Sequence, residues 1–155
     1  MNELKLIMQS YLSECEIHKS KIDSAKDSLK PLFPLDIQIY STKESELSST
    51  IDQMVYRFSK LQDTLGEKVF PIYLQLGGED PKKKTFIDLL NRLEELEVVS
   101  KSEWLYLREV RNEIAHEYNL NQEKLVKILN QIYSDSGRLI QIYDSISAKI
   151  HGILL

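Results

Sequence analysis

The feature of this sequence that most constrains its fold is the spacing of its apolar residues, which alternates between steps of four and three. This spacing extends from Leu4 to Leu29 in a first segment and from Leu47 to Leu65 in a second. Steps of four and three return to one side of an α-helix, so each segment is predicted to be a long helix with a narrow apolar seam. Two such seams bury their apolar surface by facing each other.

Prolines and glycines predict where these helices end. Pro31 and Pro34 end the first helix, because proline lacks an amide donor and restrains the residue before it. The stretch "PLFPLDIQIYST" is therefore predicted to be a connector, with room for a short extended piece. Gly66 and Pro71 fall near the end of the second helix, so "GEKVFPIYLQL" is predicted to be a kinked continuation or a short separate helix.

Three more helices are predicted in the second half of the chain. The third begins at Asp80, a good N-cap before Pro81, which suits the first helical position. The fourth begins near Ser102 and ends near Tyr118, and the fifth follows the capping residue Asn121. No alternating strand pattern is found. The sequence therefore predicts an all-α fold, an antiparallel up-and-down bundle of four to five helices.

Length and composition indicate one soluble globular domain spanning residues 1–155. A chain of 155 residues with 42% hydrophobic and 28% charged residues can bury a single core. No apolar run approaches the roughly 18 residues that a membrane helix needs, and "MNELKLIMQS" lacks the apolar core of a signal peptide. We expect a cytoplasmic protein with no membrane association.

Charge and ligand chemistry limit the possible functions. One cysteine and three scattered histidines do not form a plausible zinc set, so we expect no metal and no cofactor. A net charge of −4 argues against broad capture of nucleic acid, which depends on many basic residues. Any RNA contact must be local. The dense basic run is Pro81 to Lys84, and runs of this kind more often decorate a loop or a helix start than bind phosphate.

The fourth predicted helix, "WLYLREVRNEIAHEY", places a charge where its apolar stripe should continue. Arg111 stands between Leu107 and Ile114, and an unpaired buried guanidinium is costly. Its partner could be a carboxylate elsewhere in the bundle, a carboxylate of a second subunit, or a phosphate ligand. Without further context, His116 is a helix-terminal histidine well placed against the helix dipole. His18, on the first seam, is predicted to be a core or interface histidine.

The string "RNEIAHEY" resembles the R-x4-H-x-Y signature of the HEPN superfamily, in particular the HepT-like toxins paired with minimal nucleotidyltransferase antitoxins. Arg111, His116 and Tyr118 occupy its three positions, and the polar Asn112 follows the arginine. The segment from Tyr56 to Phe70 is similar to the second-helix segment of these proteins. The resemblance extends from the second helix onward.

The resemblance implies a metal-independent endoribonuclease whose active site forms between the facing motif helices of a homodimer. The 2′-hydroxyl of RNA would attack phosphorus and leave a cyclic phosphate and a free 5′-hydroxyl. Arg111 would stabilise the phosphate, His116 would transfer a proton, and Asn112 would orient the phosphate or hold the imidazole. Tyr118 would accept AMP from the cognate nucleotidyltransferase antitoxin, which would block RNA. As a structural residue, Tyr118 would instead be a seam aromatic at the helix end.

Two other functions remain open at this point. The chain could be a non-catalytic helical partner that binds or presents substrate to a nucleotidyltransferase, or a dimeric bundle without a ligand. The set of Arg111, Asn112, His116 and Tyr118 favours the enzyme, since a scaffold has no need of it. The acidic balance of the chain favours the non-catalytic partner.

Overall fold

A computed structural model describes residues 2–117 and 121–154, and every regular element within these two ranges is helical. The predicted all-α bundle is confirmed. Within the same ranges, no helix is both long enough and apolar enough to cross a membrane. In chain order the elements are α1 (Asn2–Leu29), α2 (Ile37–Thr64), a π-helical turn (Leu65–Val69), α3 (Phe70–Leu76), a 3-10 turn (Pro81–Lys83), α4 (Phe86–Glu95), α5 (Lys101–Glu117) and α6 (Gln122–Leu154).

The two predicted seams form the centre of the core. Helix α1 packs against α2, and α6 packs against α1, α2 and α5, so these four helices form the bundle. Burial of each large apolar side chain contributes roughly 1.5–3 kcal/mol of transfer free energy, and both the paired seams and the buried side of α6 supply many such residues. The buried residues of the predicted seams include Met8, Cys15, Ile22 and Leu29 in α1 and Leu47, Ile51, Met54, Phe58 and Leu61 in α2.

Helix α2 begins earlier than the proline-rich connector predicts. Asp36 has an extended backbone, and its carboxylate accepts a hydrogen bond from the backbone N–H of Ile39 at 2.7 Å. This is an N-cap, and it starts the helix at Ile37. The amide of Asn130 in α6 binds the backbone N–H and C=O of Leu35 at 2.7 and 2.9 Å and so holds the connector against the bundle. The prediction of a connector as far as Thr42 was wrong because it overlooked this cap.

The π-helical turn joins α2 and α3 into one continuous rod, so the continuation is observed and not the separate helix, the other alternative that the sequence left open. The N–H of Phe70 donates to the carbonyl of Leu65, five residues earlier, which widens the helix locally. A Cβ added to Gly66 would lie 3.0 Å from Cζ2 of Trp104, so glycine permits the close approach of α5 here. With this rod counted as one, the described residues form five α-helices.

Helix α4 begins later than predicted. Asp80 does cap the chain, but it caps only the 3-10 turn Pro81–Lys83. The α-helix starts after Thr85, whose hydroxyl accepts the backbone N–H of Asp88 at 3.1 Å while the Asp88 carboxylate accepts that of Thr85 at 3.4 Å. This reciprocal capping box satisfies two helix-terminal donors, whereas Asp80 satisfies one, and this difference explains the observed start.

Candidate functional site

Helix α5 buries a different set of residues from the one its sequence predicts. Val110, not Arg111, fills the stripe between Leu107 and Ile114, and these three apolar side chains are buried. Steps of three and then four return to the same face of the helix, so the stripe continues without interruption. The prediction that Arg111 lies within the apolar seam was wrong. Its side chain lies at the edge of the seam and is 29% exposed.

Arg111 pairs with a carboxylate of its own bundle, the first of the three partners considered. Its Nε and Nη2 lie 3.4 and 3.3 Å from the two carboxylate oxygens of Asp63, in the last turn of α2. Both side chains are about one-third exposed, so this long ion pair contributes little stability. A guanidinium has five N–H donors, and those not directed at Asp63 have no hydrogen-bond partner in the part of the chain that the structure describes.

The other predicted site residues are distributed unequally around Arg111. Asn112 is exposed and lines the same cavity as Arg111. His116 is exposed one helical turn later on the side of Asn112, but it does not line that cavity. The structure therefore brings Arg111 and Asn112 together and leaves His116 outside. Tyr118, the predicted modification site, lies outside the described residues.

A cavity of about 740 Å³ opens beside Arg111, between the end of α2, the two irregular turns, α3, α4 and α5. Its volume is in the range of pockets that hold small molecules. The charged side chains of its lining have a positive net charge, whereas the whole chain has a net charge of −4. The charged residues of the lining are the cations Lys82, Lys84, Arg108 and Arg111 and the carboxylates Asp63 and Glu67.

Two aromatic rings and a buried amide complete the cavity. Phe86 lines it with the guanidinium of Arg108 4.7 Å from its ring centre, and Trp104 packs on Phe70 at 4.7 Å between ring centres. Gln62 and Trp104 are 3% and 1% exposed. Nε2 of the amide and Nε1 of the indole are buried without a hydrogen-bond partner among the described residues, which is a costly arrangement for donors.

Sequence reasoning missed most of this cavity. The run Pro81 to Lys84 was expected to decorate a loop or a helix start, whereas two of its lysines, Lys82 and Lys84, line the cavity. Gln62 could have been noticed, because it follows Phe58 by four residues and so lies on the buried side of α2. For Phe86 and Trp104 the sequence carried no signal of a functional site.

A second polar cluster surrounds His18, which is buried as predicted. Its Nδ1 lies 3.0 Å from Nη1 of Arg57 and its Nε2 lies 3.5 Å from a carboxylate oxygen of Glu14. A guanidinium can only donate, so Nδ1 accepts and the proton of the neutral ring is on Nε2. Burial lowers the pKa of His18, the nearby Glu14 opposes this shift, and the charges of Arg57 and Lys60 lower the pKa further.

This environment predicts a loss of stability in acid. The pKa of His18 is near 6.5 in the unfolded chain and lower in the folded chain, so the unfolded state takes up the proton first. The free energy of unfolding should therefore fall as the pH decreases below about 6.5 and level off once the folded state is also protonated. Urea unfolding from pH 8 to pH 5 measures this. His18→Gln should show a shallower decline, and parallel declines for parent and variant would contradict the assignment.

Comparisons with protein-family models, curated proteins and solved structures find no match to this chain. The relation to the HEPN superfamily therefore stays a prediction from the motif. Within residues 2–117 and 121–154, no group of three or more His, Cys, Asp or Glu side chains is arranged to hold a metal ion.

Proposed function

We propose that this chain is a metal-independent endoribonuclease of the HepT-like kind, active as a homodimer. The observation that carries the proposal is the position of Arg111 beside Asn112 at a cavity whose lining is cationic in an otherwise acidic chain. Asp63 holds one edge of the guanidinium, so the remaining donors are oriented and can bind the oxygens of a phosphate.

The proposed reaction uses the nucleophile of the RNA itself. The 2′-hydroxyl oxygen bonds to the neighbouring phosphorus as its proton passes to a neutral imidazole, and the bond from phosphorus to the 5′-oxygen breaks. An imidazolium returns a proton to that leaving oxygen, so the products are a 2′,3′-cyclic phosphate and a free 5′-hydroxyl. Arg111 stabilises the charge that develops on the non-bridging oxygens, and His116 transfers the protons.

The exposed position of His116 favours a site shared between two subunits. His116 does not line the cavity that contains Arg111 of the same chain. In the proposed dimer, His116 of the partner subunit therefore supplies the imidazole that acts together with Arg111. Arg108, Asn112 and His116 are exposed at intervals of four residues and form one polar strip along α5. Two such strips can face each other with a phosphate between them, because the anion offsets the repulsion of the cations.

RNA cleavage by the purified protein should persist in excess EDTA, because the proposed chemistry uses only protein side chains and the 2′-hydroxyl. A mixed-sequence RNA incubated with EDTA should yield fragments with cyclic phosphate and 5′-hydroxyl ends, identified by mass spectrometry. The same RNA with 2′-O-methyl groups should remain intact. Cleavage that requires an added divalent ion, or that yields 5′-phosphate ends, would contradict the proposal.

The proposed antitoxin partner is a nucleotidyltransferase that transfers AMP to Tyr118. The second candidate function is a non-catalytic partner of such an enzyme. The Arg111–Asp63 pair favours this alternative, since a structural ion pair accounts for the arginine without any RNA. Modification of a chain that never cleaves RNA would select the non-catalytic function.

A further inference from the structure

We infer that the cavity beside Arg111 binds one nucleotide of the RNA substrate, with its phosphate near the cations and its base against the aromatic rings. The choice of RNA rests on the proposed function, whereas the match to a nucleotide comes from the cavity itself. Its volume of about 740 Å³ is sufficient for a base, a sugar and a phosphate.

The charge of the lining selects an anionic group. Arg111 and Arg108 lie on α5, and Lys82 and Lys84 approach from the segment around the 3-10 turn. Lys84 is partly neutralised by Glu79 at 3.5 Å, but Lys82 is exposed at the cavity and has no ion-pair partner within the described residues. A phosphate can therefore find cations on two sides of the cavity, although the charge of the whole chain is negative.

The apolar part of the lining suits a flat heterocycle. Phe86 is half-buried in the lining with the exposed Arg108 over it at 4.7 Å, and nucleobases stack on rings and guanidinium groups of this kind. Trp104 also lines the cavity but is 1% exposed, so the surface available for stacking is that of Phe86 and Arg108. Gly66 lies beside Trp104, where a Cβ would stand 3.0 Å from the indole. The absence of a Cβ at Gly66 therefore lets the indole pack directly against the π-helical turn in this part of the cavity wall.

The unpaired buried amide offers a means of reading the base. Gln62 lines the cavity, yet its Nε2 is covered and has no partner among the described residues. Rotating the flexible side chain toward the cavity costs no hydrogen bond of that nitrogen. A base edge can then pair with the amide, which both donates and accepts. A buried polar group without a partner destabilises the protein when the cavity is empty. A ligand that hydrogen-bonds to this group recovers that free energy, which favours binding.

Fluorescence of Trp104, the only tryptophan of the chain, reports binding at this cavity directly. Titration with AMP, GMP, CMP and UMP should give saturable changes, and at least one nucleotide should bind about tenfold more tightly than inorganic phosphate, which lacks the stacking group. No saturable change up to millimolar nucleotide, or equal affinity for inorganic phosphate, would overturn the inference.

Two pairs of variants distinguish nucleotide binding in the cavity from general effects of a changed charge or changed packing. Lys82→Glu should weaken nucleotide binding about tenfold or more, whereas Lys83→Glu, in the same turn but outside the cavity lining, should not. Phe86→Leu should also weaken binding, whereas Phe33→Leu should not, because Phe33 is likewise half-buried but stacks on Tyr133. Equal losses within either pair would overturn the inference.

An RNA probe identifies the source of the nucleotide and separates this inference from the proposed function. A 2′-O-methyl tetranucleotide, which cannot cleave itself, should bind more tightly than any mononucleotide if the occupant belongs to RNA. Equal affinity would overturn the assignment to RNA. RNA cleavage that Lys82→Glu and Phe86→Leu leave unchanged in rate and base preference would overturn the inference but retain the nuclease. Mononucleotide binding by a chain that never cleaves RNA would support the nucleotide site in the cavity and contradict the proposed nuclease function.

Discussion

His116→Ala should reduce the rate of RNA cleavage by about 10²–10⁴, the usual contribution of a positioned proton-transfer group. His116 is exposed and outside the core, so its removal should leave the fold and the unfolding midpoint close to those of the parent. Single-turnover cleavage of a labelled RNA, with circular dichroism to verify folding, measures the effect. His151→Ala is the matched control, since His151 is an exposed histidine near the end of α6.

Subunit mixing extends this experiment to the shared active site. Arg111→Ala should also reduce cleavage strongly, because the phosphate loses its principal charge partner. In a dimer of one Arg111→Ala chain and one His116→Ala chain, one of the two composite sites has both native residues, so refolding the mixture should restore cleavage. An inactive mixture would reject a site built from both subunits. Full activity of either folded variant alone would remove that residue from the mechanism.

Tyr118→Phe should abolish transfer of AMP to this chain while leaving RNA cleavage near the parental rate. The substitution removes the acceptor oxygen and retains the ring, and the position is two residues after His116 in the sequence. A phosphate on Tyr118 would compete for the guanidinium of Arg111, and the adenosine would obstruct the RNA. Incubation with the cognate nucleotidyltransferase and ATP, followed by intact-mass spectrometry, measures the modification.

The control for this prediction is Tyr56→Phe, which removes the hydroxyl of an exposed tyrosine on α2. This variant should gain AMP and lose nuclease activity as the parent does. AMP that remains on the Tyr118→Phe chain would place the acceptor elsewhere. A parent chain that carries AMP on Tyr118 and still cleaves at its full rate would remove this residue from regulation.

The helices could be predicted because the spacing of apolar residues that determines each helix lies within the helix itself. The seams of α1 and α2 alternate by four and three over several turns, and their burial in the structure follows this spacing closely. Helix starts were harder to predict, because several capping residues compete. Asp36 and Thr85 prevailed over the expected boundaries since their side chains make hydrogen bonds that the sequence permits but does not rank.

The candidate site could be predicted only in part. Neighbouring residues on a helix are about 100° apart, so spacing alone could not decide whether Val110 or Arg111 faced the core. The cavity is formed by residues as distant in sequence as Gln62 and Asn112, and no local pattern links them. Its charge results from tertiary packing, which brings Lys82 and Arg111 to one lining. The motif thus predicted the type of reaction, whereas the shape of the pocket could be known only from the folded structure.

The π-helical turn Leu65–Val69 also determines where the rod of α2 and α3 can change in length. In a regular α-helix, deletion of one residue rotates everything beyond it by about 100°, so α3 would turn its apolar side away from the core. A π turn contains one residue more than an α turn. Deletion of an exposed residue such as Lys68 can convert the π turn into an α turn, and Phe70 and the rest of α3 then keep their orientation. Related chains one residue shorter at this point would retain the same bundle, but with a narrower helix beside Gly66 and a correspondingly different cavity wall.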